Sequence, residues 1–389
     1  MSLVEWFNSE PVRQFRLDMF GNTGTDVCSV CQYEELHKGS SRRHRANQKS
    51  VIFTTAFEES LEQSPGYIHF IHSKDTNGET NTLPIDLHID LGNHCNLACK
   101  MCWPGASTSV ATQYVKWGMV EAQPYLGVDW TKDSEVWDKF LNELLTIPKL
   151  KNIHLMGGET LLSPRFEQLV DFMIANNRYD ISFSFVTNGT IYKPELIEKL
   201  KKFPRVGIEI SIETTTEHND YIRQGSVVAD VINNIKLYKD LCYGSDVSVT
   251  IRPAISALSI GYYHTLLEFC LTEQLLIKNT IVTSPDYLNA RILPLNIRSE
   301  YRKKYIALID QLKDIDVHYD YNESNTTNYK QSIKRQALLA IELLSVAEQA
   351  SEPELMNLAQ WCRRWDTVKG YNAVSLYPEL AEVFTIYGY

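Results

Sequence analysis

The sequence predicts an α/β fold: an incomplete (βα)6 TIM-like barrel with an irregular N-terminal segment and a helical C-terminal extension. Three observations carry that prediction. Strand-like runs recur between residues 83 and 295, helical patterns separate them, and the strands are apolar on one side and polar on the other.

The strand-like runs are Ile85–Leu91, Asn152–Met156, Ile181–Thr187, Val206–Ile212, Val247–Arg252 and Asn279–Thr283. Between them lie helical patterns at Ser134–Leu145, Pro164–Ala175, Lys193–Lys202, Val227–Leu241 and Tyr262–Thr272. Such alternation calls for parallel strands joined by right-handed crossovers. In the first run Ile85, Leu87, Ile89 and Leu91 point one way, and Asp86, His88 and Asp90 the other. The fourth opposes Val206, Ile208, Ile210 and Ile212 to Gly207, Glu209, Ser211 and Glu213. The fifth sets Val247, Val249 and Ile251 against Ser248, Thr250 and Arg252, and the third offers Ser182 and Ser184 as its polar side. A doubly wound sheet would be apolar on both faces, and a closed eight-stranded barrel would fill its interior with branched apolar side chains. Apolar backs with polar fronts therefore predict a sheet that stays open around a wet cleft. His88, Asp90, His154, Glu209 and Arg252 are the remaining inward candidates.

The flanks read differently. Residues 1–82 form a polar N-terminal segment in which Phe7–Phe20 suits a helix with Val12, Phe15 and Met19 on one face, stopped by Gly21–Thr25. Residues 296–389 form the helical extension, with patterns at Ile297–Leu312, Ser332–Ala350 and Glu352–Arg364 and a polar break at Asn322–Thr327. Trp361-Cys362-Arg363-Arg364-Trp365 pairs aromatics with cations, which fits closing the open side of the barrel, meeting the substrate, or plain packing.

Composition narrows the function classes. A chain of 389 residues with 44% hydrophobic content buries a large core. The net charge of −10 argues against broad attraction to nucleic acid or an anionic membrane. Nothing at the start resembles a signal peptide, and no run reaches the ~18 apolar residues of a membrane span. Eight cysteines are few for a disulfide scaffold of this size, and their clustering suits metal ligation in a reducing cytoplasm.

Barrel chemistry belongs at the C-terminal ends of the strands, and the motifs fall there. Directly after the first strand comes His94-Cys95-Asn96-Leu97-Ala98-Cys99-Lys100-Met101-Cys102-Trp103. Cubane iron–sulfur clusters normally take four thiolates, so a compact set of three implies an iron left open for another ligand. A structural zinc site or unrelated buried thiols are the bland alternatives. Gly157-Gly158-Glu159 follows the second strand, where glycines let backbone approach a ligand closely. Thr187-Asn188-Gly189 follows the third, Ser211-Ile212-Glu213 ends the fourth, and Arg223 lies shortly beyond, able to clamp a carboxylate or to make a surface ion pair. Cys242 and Cys270 sit in helical patterns and read as core thiols.

Cys95-x3-Cys99-x2-Cys102 after a first strand resembles the signature of the radical S-adenosylmethionine (SAM) superfamily, with Met101 where that family usually has an aromatic residue. The resemblance spans about 83–295. It implies a [4Fe–4S] cluster on Cys95, Cys99 and Cys102, with the open iron chelated by SAM. It also implies SAM contacts from Gly157, Gly158, Glu159, Asn188, Ser211, Glu213 and Arg223. The implied reaction is one-electron cleavage of SAM to a 5′-deoxyadenosyl radical that abstracts hydrogen, fed by an electron donor such as flavodoxin or ferredoxin.

In the N-terminal segment Cys28-Ser29-Val30-Cys31 has metal-knuckle spacing, with His37, His44 and the basic run Arg42–Arg45 after it. The pair is a candidate second iron–sulfur cluster or zinc site, with Cys362 a candidate remote ligand, or else an exposed turn with free thiols. It resembles the twitch and SPASM subdomains of some radical SAM maturases, although those usually follow the barrel. By that analogy the expected substrate is a peptide or protein side chain. A nucleotide or small metabolite suits the same cleft, and a non-catalytic metal-binding adaptor on the same barrel is the reading from a different class.

Overall fold

The computed structural model describes residues 2–20, 28, 31–32, 71–80, 83–317, 328–346 and 351–387. Six strands form one sheet in chain order: β1 (Asp86–Asp90), β2 (Asn152–Met156), β3 (Ser182–Thr187), β4 (Val206–Ile210), β5 (Val247–Ile251) and β6 (Leu276–Ile277). Pairing from β2 through β6 is parallel. Among the described residues β1 and β6 remain the two edges, so the sheet does not close, as the polar strand fronts predict.

The helices are α1 (Leu3–Phe7), α2 (Glu10–Phe20), α3 (Thr108–Lys116), α4 (Ser134–Leu145), α5 (Pro164–Ala175), α6 (Pro194–Leu200), α7 (His218–Ile222), α8 (Val228–Cys242), α9 (Tyr263–Glu273), α10 (Leu295–Gln311), α11 (Tyr329–Leu344) and α12 (Glu352–Lys369). Proline at the first turn of α5 and α6 starts a helix where its missing N–H has no partner to lose.

The chain forms two compact units. One comprises the described parts of Met1–Leu87 with Asp133–Lys151. In it Arg16 donates to the carbonyls of Phe7 and Gly78, and Asn8 exchanges hydrogen bonds with the Thr80 backbone. The other comprises the described parts of His88–Lys132, Asn152–His318 and Thr326–Tyr389, and carries the three-cysteine site described below.

Strand alternation sorts the second unit. Ile153, Leu155, Phe183, Phe185, Val206, Ile208, Ile210 and Ile251 are at most 2% exposed, each such side chain contributing roughly 2 kcal/mol by leaving water. The apolar faces of α5 (Phe166, Leu169), α6 (Leu196, Leu200), α8 (Val231, Ile235) and α9 (Leu266, Leu267) are buried with them. On the opposite side the polar fronts meet one another. His154 Nδ1 lies 2.7 Å from Ser184 Oγ, the His88 and His154 rings are 4.8 Å apart, and Arg252 pairs with Glu209 at 3.1 Å.

Several expectations are corrected. The sixth sheet strand is Leu276–Ile277, one turn earlier than Asn279–Thr283, because Gln274 ends α9 in the left-handed region and the chain joins β5 at once. Thr280–Ile281 instead pairs with Ala254–Ile255 in a separate two-stranded ladder. The single helix over Phe7–Phe20 is two helices, since a Ser2–Glu5 capping box starts α1 early and Asn8 ends it. Ile85 precedes β1 and is exposed. Gly21–Thr25, His37, His44, Arg42–Arg45 and Asn322–Thr327 lie outside the described residues. Among the described residues no helix is long and apolar enough to cross a membrane.

Candidate active site

The three cysteines leave the end of β1 on a loop held by side chain-to-backbone hydrogen bonds. Ser109 Oγ donates to the Cys95 carbonyl at 2.7 Å, Ser107 Oγ to that of Leu97 at 2.9 Å, and the Asn93 amide to Tyr125 O at 2.6 Å. The loop then forms a short antiparallel ladder, Ala98–Cys99 against Arg223–Gln224, with Cys99 directly opposite Arg223. Lys100 N extends it to Ile222 O at 2.8 Å. This ladder fixes the middle cysteine.

The β2 loop is laced to the same segment. Gly158 N donates to Gly92 O at 2.9 Å and Glu159 N to His94 O at 2.8 Å. Glycine is required at both positions of the turn. Gly157 sits at φ +130° with a Cβ-sized space only 2.5 Å from Gly92 O, and a Cβ on Gly158 would stand 2.2 Å from His94 O.

Glu159 is 2% exposed and serves the protein itself. It accepts from Leu161 N at 3.0 Å, Thr187 Oγ1 at 2.7 Å and Asn188 N at 2.6 Å. Burial raises its pKa while these donors pull the other way. Asn188, so positioned, directs Nδ2 toward Cys95 Sγ at 3.9 Å and Asn96 Oδ1 at 2.8 Å. Ser211 is half-buried just past β4, its N–H on Thr187 O at 2.9 Å. Glu213 is fully buried. It accepts from Arg223 Nε and, at 2.7 Å, Arg223 Nη2, and also from Ala254 N at 3.1 Å. Burial opposes the Arg223 charge, but Glu213 and Cys99 outweigh it and raise the pKa, so the guanidinium is held charged. Its Nη1 faces Cys99 Sγ at 3.8 Å.

The structure thus brings these residues into two hydrogen-bonded groups, Cys95 with Asn188 and Cys99 with Arg223 and Glu213, which interact electrostatically as one cluster. Cys102 adjoins it electrostatically, being coupled to both other thiols. Burial pushes all three thiols up, Cys102 to about 11, so bare they are poor nucleophiles and need a metal to ionise them. Among the described residues no three His, Cys, Asp or Glu close on a single metal ion. A cubane is different, because each thiolate takes a separate iron corner and the ligands stand farther apart.

Lys100 was not among the candidates. It is 1% exposed, donates to Tyr221 O at 2.8 Å, and lies over the rings of Tyr221 at 3.8 Å, Trp365 at 5.1 Å and Tyr371 at 5.8 Å. Burial lowers its pKa to about 8. The signal was visible as a lone cation between closely spaced cysteines. Trp361 and Trp365 are buried against Trp117, so this segment packs behind the cysteine loop. Cys362 is buried beside Tyr221, Lys100 and Asp366. Cys28 and Cys31 are half-buried and not disulfide-bonded.

A cavity of about 660 Å³ opens beside the β1 and β2 loops, lined in part by Asn93, His94, Asp129, Met156, Glu159 and Arg165. Asn93 is 2% exposed, and among the described residues its Oδ1 has no hydrogen-bond partner.

Fold and site together define an open α/β barrel protein with a three-thiol loop at its strand ends. Residues 89–254 match the family model described as the Radical SAM superfamily. Among curated proteins it is similar to the sporulation killing factor maturation protein SkfB of Bacillus subtilis, 27% identical over 171 residues, 44% of this chain and 35% of that protein. It is also similar to the radical SAM cyclopropyl synthase TigE of Paramaledivibacter caminithermalis, 24% identical over 160 residues, 40% of this chain and 32% of that protein. The match thus spans about a third of these relatives' length. Solved structures that are similar include native anSMEcpe with bound AdoMet, TM-score 0.43 and 16% identity over 59% of this chain and 62% of that one. Another is Streptococcus suis SuiB bound to S-adenosylmethionine, TM-score 0.40 and 14% identity over 69% and 58%.

The match to that family implies a [4Fe–4S] cluster and SAM. The residues fit the cluster: three mutually coupled thiols, none in a disulfide, with N–H groups of Leu97, Asn188 and Arg223 already directed at sulfur. Such donors suit thiolates.

Proposed function

We propose that this protein is a radical SAM enzyme that abstracts hydrogen from a peptide or protein side chain in a reducing cytoplasm. Cys95, Cys99 and Cys102 hold the cluster, and the Gly157–Glu159 turn, Asn188 and Ser211 bind SAM. Held there, the cluster and SAM would supply reductive SAM cleavage and hydrogen-atom abstraction.

The chain's own residues prepare that event. The glycine turn brings backbone carbonyls close enough to accept from an ammonium. Glu159 rigidifies the turn and the Asn188 loop. His88, His154, Glu209 and Arg252 line the polar front, where their mutual contacts leave an ordered wall. The Asn93 Oδ1 acceptor and the adjoining cavity offer a place for a substrate amide. The one observation carrying the reading is the ladder that sets Cys99 against Arg223 at the strand ends.

A macromolecular substrate is supported by the name of the relative SkfB, a maturation protein. An external one-electron donor such as flavodoxin or ferredoxin follows from the chemistry. The test is anaerobic reconstitution with iron and sulfide, then dithionite and SAM. A brown chromophore and 5′-deoxyadenosine are expected; the absence of both overturns the proposal.

A further inference from the structure

We propose that Arg223 is a positioning residue for the cluster and not a clamp for the SAM carboxylate: its Nη1–H donates to the Cys99 thiolate and raises the cluster's reduction potential. The inference rests on the cluster assignment proposed above.

A guanidinium has a fixed fork of donors, and a side-on pair uses Nε and one Nη together. In Arg223 that side is spent, since Nε and Nη2 both go to the fully buried Glu213 carboxylate. Nη1 remains, and it points at Cys99 Sγ, 3.8 Å away. The arrangement is anchored at both ends. Cys99 and Arg223 are partners in one ladder, so neither backbone moves without the other, while Ala254 N pins Glu213 Oε1 at 3.1 Å.

The other thiols are treated differently. Cys95 receives neutral donors, Leu97 N at 3.4 Å and the Asn188 amide at 3.9 Å. Cys102 is itself the donor in its contact with Trp103 O at 3.8 Å, a contact a thiolate cannot make. Cys99 alone of the three, among the described residues, faces a charged donor. Hydrogen bonds to cluster sulfur stabilise the electron-rich reduced state and raise its potential. Charge-assisted bonds do so most strongly. The Arg223–Glu213 pair has no net charge, so the effect comes from the directed N–H, and altering either partner should move the potential in a predictable direction.

The test is the midpoint potential of the reconstituted cluster, without SAM, by electron paramagnetic resonance during reductive titration. Wild type, Glu213→Gln, Arg223→Lys and the double variant Arg223→Gln/Glu213→Gln are compared at four irons per chain. Glu213→Gln frees the cation and should raise the potential. The double variant removes the charged donor and should lower the reduced fraction about tenfold at fixed poise, ~59 mV for one electron. Arg223→Lys keeps the charge without the fork and should fall between wild type and the double variant. Should the double variant not hold four irons, the opposite signs expected for Glu213→Gln and Arg223→Lys decide the matter. Potentials that all shift the same way, or stay put while SAM binding weakens, overturn the proposal. Wild type that takes up no cluster sinks the cluster assignment itself, a separate result.

Discussion

The Lys100 ammonium lies 5.1 Å from the ring centre of Trp365, joining the cysteine loop to helix α12 of the C-terminal extension. Trp117 meets the same indole at 4.9 Å, so one buried ring braces both the loop and the segment after α3. Trp365→Ala should open a cavity there and destabilise the protein by ~3–5 kcal/mol. Chemical denaturation measures this, and iron uptake on reconstitution should fall in parallel. Retention of full iron content would show that the loop holds itself.

Glu159 ties the β2 loop to the β3 loop through Thr187 and Asn188. Glu159→Ala strands three buried donors, which should cost roughly 3 kcal/mol or more. Glu159→Gln keeps part of the acceptor geometry and should cost less. Thermal unfolding orders the variants, and SAM affinity should decline in the same order.

Gly158→Ala should be more damaging than its size suggests. The added methyl meets the His94 carbonyl at 2.2 Å, a backbone atom that cannot step aside without moving the residue before Cys95. Loss of SAM binding with the secondary structure retained, by calorimetry and circular dichroism, is the expected outcome.

Burial and Lys304 lower the pKa of His264 from 6.5 to about 4. The unfolded chain therefore binds a proton that the folded chain refuses between those values. Stability is fully present above about pH 6.5 and declines as pH falls toward 4. In His264→Phe that decline should be shallower, read as unfolding midpoint against pH. An unchanged acid limb would place the sensitivity elsewhere.

Cys28 and Cys31 are proposed to hold a second metal. Metal analysis of a Cys95→Ala/Cys99→Ala/Cys102→Ala variant isolates them, and residual iron or zinc is expected. Complete loss leaves nothing bound at the pair.

Much of the fold was legible in one dimension. Period-two alternation in Val206–Ile210 needs only the pleat to choose a face, and five of the six strands lie where the runs predicted them. The sixth was misplaced because Leu276–Ile277 is two residues long, too short for any period to register, and tertiary pairing with β5 selected it.

The sequence by itself determined the local chemistry: three thiols at fixed spacing, glycines where a turn must approach backbone, and strands with one polar side. Covalent spacing and side-chain alternation are short-range, so they survive in the linear text. Only the tertiary structure decided what each site residue faces. Glu159 latches a neighbouring loop, Arg223 is committed to Glu213 with one arm on Cys99, and Lys100 is caged by rings from α7, α12 and the segment after it. Those partners are distant along the chain, and burial makes satisfying them obligatory, since an uncompensated charge in the interior costs several kcal/mol.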